Sequence, residues 1–386
     1  HSYLLVQGPP GAGKTFTSSE AIAELLARGK SVGVASNSHK AINNLLSGVQ
    51  AAADRKGVRF RGVKKSSRED QYVEGCASIE NTTDNKRAAD SGFGLVAGTA
   101  WLFARPEMDQ RLDYLFVDEA GQVSLANIIA MGVSARNIVL VGDQMQLAQP
   151  IQGAHPGGSG VSALDHLLGG LATVPDDRGI FLAQTRRLHP EICRFISDAV
   201  YDSRLTSHDS ARGQALVLTE GLDDPALAEA GLRFVEVAHQ GCAQRSVEEG
   251  QRLKATYEAL LGCKWVNQKG ELAPISAKDI LVVSPYNMQV ELLRGLLPAG
   301  ARVGTVDKFQ GQEAAVVLIS MATSSGDDLP RQIEFLYSRN RLNVAVSRAR
   351  CLAVIFANPR LLEIACGTIE QMQLVNTLCW AKLYAS

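Results

Sequence analysis

At 386 residues, with 46% hydrophobic and 20% charged side chains, the chain has the composition of a globular protein able to bury sizeable cores. Its 39 Lys and Arg against 40 Asp and Glu leave a net charge of −1. That excludes a globally basic coat for nucleic acid, so any polyanion must be held in a local groove. The seven cysteines form no C-x-x-C pair and no Cys/His cluster with zinc spacing, so they read as reduced thiols of a cytoplasmic protein. No apolar run approaches the roughly 20 residues that span a bilayer, and no signal peptide is visible.

The chain opens directly on a strand at 3–6, with no lead-in, and so reads as a segment of a longer protein. A Gly-rich turn follows, then a helix over 14–28, a short buried strand at 31–35 and a helix over 39–49. Residues 51–94 are polar, with few apolar positions in register, and read as an insertion or small subdomain. Alternation resumes with strands at 94–97, 112–117 and 138–141 and a helix over 125–133. Residues 151–160, "IQGAHPGGSG", read as a flexible loop. A second set of strands, at 179–182, 280–283, 303–306, 315–319 and 352–356, alternates with helices over 190–200, 247–261, 288–297 and 340–347. Strands alternating with helices imply parallel sheets covered on both faces. The expectation is an α/β chain of two tandem lobes, 1–175 with the polar insertion and 176–386.

"GPPGAGKT" at 8–15 follows an apolar strand and opens a helix, the context a phosphate-binding loop requires. Glycines let backbone N–H groups converge on phosphate oxygens, and the helix N-terminus favours negative charge. Gly8, Pro9, Gly11, Ala12, Gly13, Lys14, Thr15 and Phe16 form the candidate nucleotide-binding set. Lys14 would neutralise the β- and γ-phosphates, and Thr15 would hold Mg²⁺ through its hydroxyl. "YLFVDE" supplies the acidic partner at the end of a buried strand. Asp118 would hold Mg²⁺ through water, and Glu119 would orient or deprotonate the attacking water. An intact Glu119 points to hydrolysis of a nucleoside triphosphate rather than binding alone.

Further motifs follow in order: "DEAGQ" at 118–122, "VGDQMQLAQP" at 141–150, "TRRLHP" at 185–190, "VGTVDKFQGQE" at 303–313 and "LNVAVSRAR" at 342–350. Together with "VASNSHKAINNLL" at 34–46 and "VAGTAWL" at 96–102 they resemble the motifs of superfamily 1 helicases. The match is to the 1B branch, which includes the nonsense-mediated-decay RNA helicase and the nuclease–helicase of Okazaki-fragment processing. The motifs span residues 8–350. The resemblance implies two RecA-like lobes with ATP between them and ATP-driven, 5′-to-3′ movement on single-stranded DNA or RNA. It implies that Gln146 senses the γ-phosphate, that Arg187 and Arg348 are arginine fingers, and that Gln310 and Glu313 lie near the γ-phosphate and ribose. Where the family commonly has Gln-Tyr-Arg-Met-His-Pro, this chain has Thr185-Arg186-Arg187-Leu188-His189-Pro190. Arg186 replaces a tyrosine that stacks on adenine, and a guanidinium can stack on a base face as well.

Hydrolysis spreads negative charge over the transferred phosphoryl group, and an arginine there raises the rate by about 10³–10⁵-fold in other P-loop enzymes. His189 reads as a structural hydrogen-bonding residue. A neutral chain must grip a strand backbone with hydroxyls and amides as well as cations. Ser36, Asn37, Ser38, Thr99, Tyr286 and Thr305 are the candidates, all at strand ends or in the turns after them, where ligands gather in open α/β sheets. Tyr286 reads equally as a base-stacking or a core residue. Trp101 and Phe103, at and after the end of "VAGTAWL", read as core residues rather than base-stacking ones. The alternative to a helicase is a nucleotide-switched clamp that hydrolyses ATP only to reset. No clustered acidic or Cys-rich nuclease motif appears, so any fused or partner nuclease would lie upstream.

Overall fold

A computed structural model describes residues 2–149, 156–330 and 332–385. The chain divides into two units, His1–Pro9 with Gly13–Leu182, and Pro10–Ala12 with Ala183–Ser386.

The first unit carries strands β1 (Ser2–Gln7), β2 (Val32–Ala35), β3 (Gly62–Lys65), β4 (Ile79–Thr82), β5 (Leu95–Gly98), β6 (Leu112–Val117), β7 (Ala135–Gly142) and β8 (Gly179–Phe181). Its helices are α1 (Lys14–Ala27), α2 (His39–Lys56), α3 (Asn85–Ala88), α4 (Ala100–Phe103), α5 (Leu125–Gly132) and α6 (Ala163–Leu168). The strands form one sheet in the order β4-β3-β5-β2-β6-β7-β1-β8, and every pairing is parallel. All strands therefore end at one edge, the carboxyl edge.

Side chains alternate across a strand, and the sequence uses this to build two cores. Val34, Leu95, Ala97 and Phe116 enter one apolar cluster, while Ala35, Val96, Leu115 and Val117 enter the other. The first face is covered from α1 and α2 by Ile22, Leu26, Ile42, Leu46 and Val49. The second is covered by Leu102, Phe103, Ile128, Met131 and Leu164. Helix α2 begins where Ser38 accepts a bond from the Ala41 N–H (3.4 Å) and ends at Gly57, whose φ of 66° suits glycine. Its apolar residues recur at helical spacing, and truncating one such as Leu46 to Ala costs about 2–5 kcal/mol.

The polar stretch 51–94 has two parts. Its first residues complete α2, which runs on to Lys56. The rest adds β3 and β4 to the outer edge of the same sheet, beyond β5. Lys64 of β3 is fully buried. Its ammonium donates to Ser66 Oγ (2.9 Å) and to the Gln71 carbonyl, and burial pulls it down to about 8. The strand at 179–182, expected to open the second lobe, instead pairs with β1 over Leu5–Gln7, so the first unit runs through Leu182. Of the loop expected at 151–160, residues 151–155 lie outside the described residues; Pro156–Gly158 form a 3-10 turn.

The second unit carries β9 (Gln184–Thr185), β10 (Thr206–Ser207), β11 (Ala215–Val217), β12 (Gly231–Glu236), β13 (Lys264–Val266), β14 (Leu272–Pro274), β15 (Ile280–Val283), β16 (Arg302–Gly304), β17 (Ala314–Ser320) and β18 (Ala349–Ala357). Its helices are α7 (Pro190–Val200), α8 (Val247–Leu261), α9 (Asn287–Leu296), α10 (Ile333–Leu336), α11 (Arg339–Val346) and α12 (Ile369–Tyr384). The main sheet runs β12-β18-β17-β15-β16, again parallel throughout. Its core gathers Leu253, Tyr257, Ile280, Val282, Val316, Leu318, Leu352 and Val354 among others. No helix among the described residues is long and apolar enough to cross a membrane.

Candidate functional site

β1 ends at Gln7, and the Gly8 N–H donates to the Gly142 carbonyl (2.9 Å), tying the loop to the end of β7. Gly11 and Gly13 take φ of 74° and 84°, a region that favours glycine. Gly13 is the N-cap of α1, and no side chain caps that helix. Its first-turn N–H groups are thus available to an anion. Lys14 folds back over the loop, with Nζ donating to the Gly8 carbonyl (2.5 Å). A Cβ at Gly8 would lie 2.1 Å from Lys14 Cγ, so only glycine permits this fold.

Asp118 leaves the end of β6, 6% exposed, with its N–H bonded to the Ala35 carbonyl (2.8 Å). Burial pushes its carboxyl up to about 7; the charge of Glu119 adds to this, and the ammonium of Lys14 opposes it. Lys14 and Asp118 thus share one electrostatic environment. Glu119 is half-buried and adopts φ 54°, ψ 41°, a left-handed conformation costly for a side-chain-bearing residue. It heads the 3-10 turn Ala120–Gln122, which packs on the end of β7. A Cβ at Gly142 would lie 2.8 Å from the backbone nitrogens of Ala120 and Gly121, and one at Gly121 would lie 2.9 Å from the Asp143 carbonyl. Both glycines are needed for that close approach.

Beyond β7, the buried Asp143 accepts bonds from Gln7 Nε2 (3.3 Å), the Met145 N–H (3.2 Å) and Gln146 Nε2 (2.7 Å). Gln7 is itself buried, donating to the Ala172 carbonyl (2.9 Å) and accepting from the Val174 N–H (2.7 Å). Gln146 is therefore linked through Asp143 to the strand that delivers the phosphate loop.

In the second unit, Arg187 and Arg350 both pair with Glu313. Arg187 also donates to the Ser347 carbonyl (3.3 Å), and Arg350 Nε reaches Glu313 Oε1 at 3.1 Å. Burial raises the Glu313 carboxyl, but the guanidiniums of Arg187 and Arg350 outweigh it and hold it below the usual carboxylate range. Arg348, 3% exposed, donates to the Gln312 carbonyl (3.2 Å). Arg186 is exposed, and Gln310 is half-buried after the 3-10 turn Asp307–Phe309. The same unit includes the loop tip Pro10–Ala12, where Thr185 Oγ1 donates to the Pro10 carbonyl (2.8 Å) and the Arg186 N–H to that of Gly11 (3.0 Å). His189 caps α7, its Nδ1 accepting from the Glu191 N–H (3.3 Å).

Ser36 and Thr99 follow neighbouring strands whose last residues, Ala35 and Gly98, are in register. Ser36 is buried and Asn37 and Ser38 are exposed; Asn37 Nδ2 donates to the Gln122 carbonyl (2.6 Å). Thr99 is half-buried ahead of α4, and Thr305 is half-buried after β16. Tyr286 takes the packed alternative. It is 4% exposed with its ring 5.5 Å from Phe335, so it has no face to offer a base. Phe103 is buried, but Trp101 is 85% exposed, against expectation, because α4 turns Leu102 and Phe103 inward and Trp101 away from the core. Thr15 is exposed at the start of α1 and Phe16 beside it is 64% exposed.

Residues 164–360 match a family model described as an AAA domain, and residues 1–157 match a second with the same description. The chain belongs to the AAA-domain family. Within it the chain is a member of the superfamily 1B helicases. This AAA-domain chain is 26% identical over 409 residues to the DNA polymerase alpha-associated DNA helicase A of Schizosaccharomyces pombe, covering 90% of this chain and 59% of that protein. It is 28% identical to the DNA replication ATP-dependent helicase/nuclease JHS1 of Arabidopsis thaliana, covering 94% of this chain and 27% of that one. It is 30% identical to the DNA-binding protein SMUBP-2 of Rattus norvegicus over 62% of this chain and 24% of that protein. The chain therefore spans less than two thirds of each of these relatives.

Two residues of this AAA-domain site escape the motif reading. Gln7 is signalled only by a polar residue ending an apolar run just before the glycines. Arg350 ends "SRAR", and the motif resemblance singled out Arg348 alone.

Proposed function

We propose that the chain is the ATP-driven motor of a nucleic-acid helicase that moves along a single strand. The observation that carries this reading is the buried Asp118 at the end of β6, within reach of the charge of Lys14 at the uncapped start of α1 and followed by an intact Glu119. These residues fit a magnesium nucleotide. The glycine cradle and α1 N–H groups suit phosphates. Among the described residues no group of three or more His, Cys, Asp or Glu is placed to hold a metal. Mg²⁺ in nucleotide sites needs only one or two protein groups plus phosphate oxygens and water. Thr15 and Asp118 are those groups in this reading, and the bound ion would offset charge on the phosphates.

Within this reading Lys14 neutralises the terminal phosphates, Glu119 orients or deprotonates the attacking water, and Gln146 reports the γ-phosphate through Asp143. Arg187 and Arg348 stabilise the charge that develops on the transferred group, and Gln310 and Glu313 serve the nucleotide. Gly8, Pro9, Gly11, Ala12, Gly13 and Phe16 shape its seat, and Arg186 stacks on its base. Ser36, Asn37, Ser38, Thr99 and Thr305 hold the strand backbone. The relatives named as DNA helicases and a DNA-binding protein make single-stranded DNA the first substrate to test, with 5′-to-3′ movement. The helicase/nuclease among them motivates a nuclease upstream as partner.

The test is ATP hydrolysis with and without single-stranded DNA or RNA, followed by displacement of a duplex carrying a 5′ or a 3′ overhang. A helicase gives strand-stimulated hydrolysis and displacement from the 5′ overhang. Hydrolysis indifferent to any strand removes the motor reading. Strand-stimulated hydrolysis without displacement identifies a nucleotide-switched clamp.

A further inference from the structure

Trp101 is 85% exposed, whereas the chain's other tryptophans, Trp265 and Trp380, are 8% and 44% exposed. Tryptophan is usually well buried on average, so a ring held almost wholly in water calls for a reason. The fold holds it there firmly. Leu102 and Phe103, the next two residues, are 2% and 0% exposed and anchor α4 in the core. A Cβ at Gly98 would meet Leu102 Cδ2 at 2.8 Å, so the helix folds tightly against the end of β5. Trp101 is thus fixed at the carboxyl edge of the sheet, two residues beyond Thr99, and β5, which leads to it, is paired with β2, the strand that the turn Ser36–Ser38 follows.

Its other neighbour strand is β3, where Lys64 pairs in register with Ala97. Lys65, half-buried at the end of β3, has its Cβ 3.6 Å from where a Cβ of Gly98 would be. Lys40 at the start of α2 and Arg68 after β3 are exposed. Two acids, Glu69 and Asp70, are also exposed in that loop, and Asp70 pairs with Arg68 (3.4 Å). The corner thus combines a rigid aromatic face, hydroxyl and amide groups, and lysines. That is the chemistry of a nucleobase flanked by phosphates: bases stack on aromatic rings, and backbones are held by hydroxyls and cations. A docking face for an apolar protein segment would not need the cations and hydroxyls.

Resting on the helicase reading above, we infer that Trp101 is a base-stacking platform. It carries the single-strand track from the ends of β2 and β5 outward to β3, where Lys65 meets a phosphate. The polar stretch 51–94 then has a purpose, because its strand β3 supplies that outer end.

The experiment compares the chain with Trp101→Phe and Trp101→Ala, read by fluorescence anisotropy on a labelled mixed-sequence single strand and on the same strand with abasic sugars. Stacking is worth about 1–3 kcal/mol per base, so Trp101→Ala should weaken binding to the normal strand by about 5- to 150-fold. The abasic strand should bind both proteins alike, and Trp101→Phe should recover most of the affinity. Matched melting curves guard against a folding defect, which the near-complete exposure of the ring makes a small concern. Equal affinity of wild type and Trp101→Ala for the normal strand overturns the proposal, as does an equal loss on both strands. A change in self-association with unaltered strand binding overturns it in favour of a protein-docking face. Failure of the wild type to bind any single strand removes the helicase reading itself, a result distinct from all of these.

Discussion

Lys14 in the first unit and Arg187 in the second both rest on partners from their own surroundings, but the partners differ in kind. Lys14 donates to a neutral carbonyl, that of Gly8. Arg187 is paired with the carboxylate of Glu313, which also binds Arg350, and the side chains of Arg187 and Glu313 are only 15% and 31% exposed. A phosphate oxygen displaces a carbonyl from an ammonium easily, because a charged acceptor makes the stronger hydrogen bond. Drawing Arg187 away means giving up a partly buried ion pair, which is more costly than breaking an exposed one. The phosphate loop is therefore ready for an anion, whereas the arginine is restrained until a stronger anion competes for it.

The largest effect should come from the ready side. Lys14→Ala should reduce phosphate release to background while strand binding, measured by anisotropy, persists; near-normal turnover would mean that the loop does not hold the nucleotide. Arg348→Ala should lower turnover by about 10³-fold or more, the range for arginines at this kind of transition state, with nucleotide still bound in a fluorescent-analogue titration. Unchanged turnover would take Arg348 out of the chemistry. Gly142→Ala forces a Cβ against the backbone of Ala120 and Gly121. Overpacking of this sort costs about 1–3 kcal/mol, read as a lower denaturant midpoint together with slower hydrolysis, since the turn carries Glu119. A variant as stable and active as the parent would show that the acidic turn tolerates displacement.

The finest test bears on the restraint itself. Glu313→Gln keeps the shape of the side chain and removes its charge. If the pair is worth about 1 kcal/mol, strand-independent hydrolysis should rise about fivefold as Arg187 is freed. A fall in hydrolysis would show that the part Glu313 plays at the nucleotide outweighs its restraint of Arg187.

Most of the regular structure was visible in the sequence because it depends on local pattern. The helices expected over 14–28, 190–200 and 247–261 appear as Lys14–Ala27, Pro190–Val200 and Val247–Leu261. The motif order announced the superfamily, and the two parallel sheets follow from strands alternating with helices. What escaped depended on partners distant in sequence. β3, "GVKK", has one apolar side chain and a lysine whose burial is tolerated because Ser66 Oγ and the Gln71 carbonyl accept its hydrogen bonds. No periodicity can reveal that. The strand at 179–181 looked like the start of a new lobe because its partner, β1, lies at the other end of the first unit. Trp101 was assigned to the core on residue type, which says nothing of which side of a one-turn helix it occupies.

The place of β1 between β7 and β8 has a consequence for how the chain comes to be folded. Ser2 bonds to Asn137 across 135 positions, and Gln7 receives the Val174 N–H across 167. During synthesis β1 lacks both of its sheet neighbours, β7 and β8, until most of the first unit has left the ribosome. Contacts this remote in sequence form slowly, and an unpaired apolar strand is open to aggregation meanwhile. The glycine-rich loop that follows β1 is thus among the last parts of the first unit to take shape, so chains truncated before β7 and β8 should never acquire it.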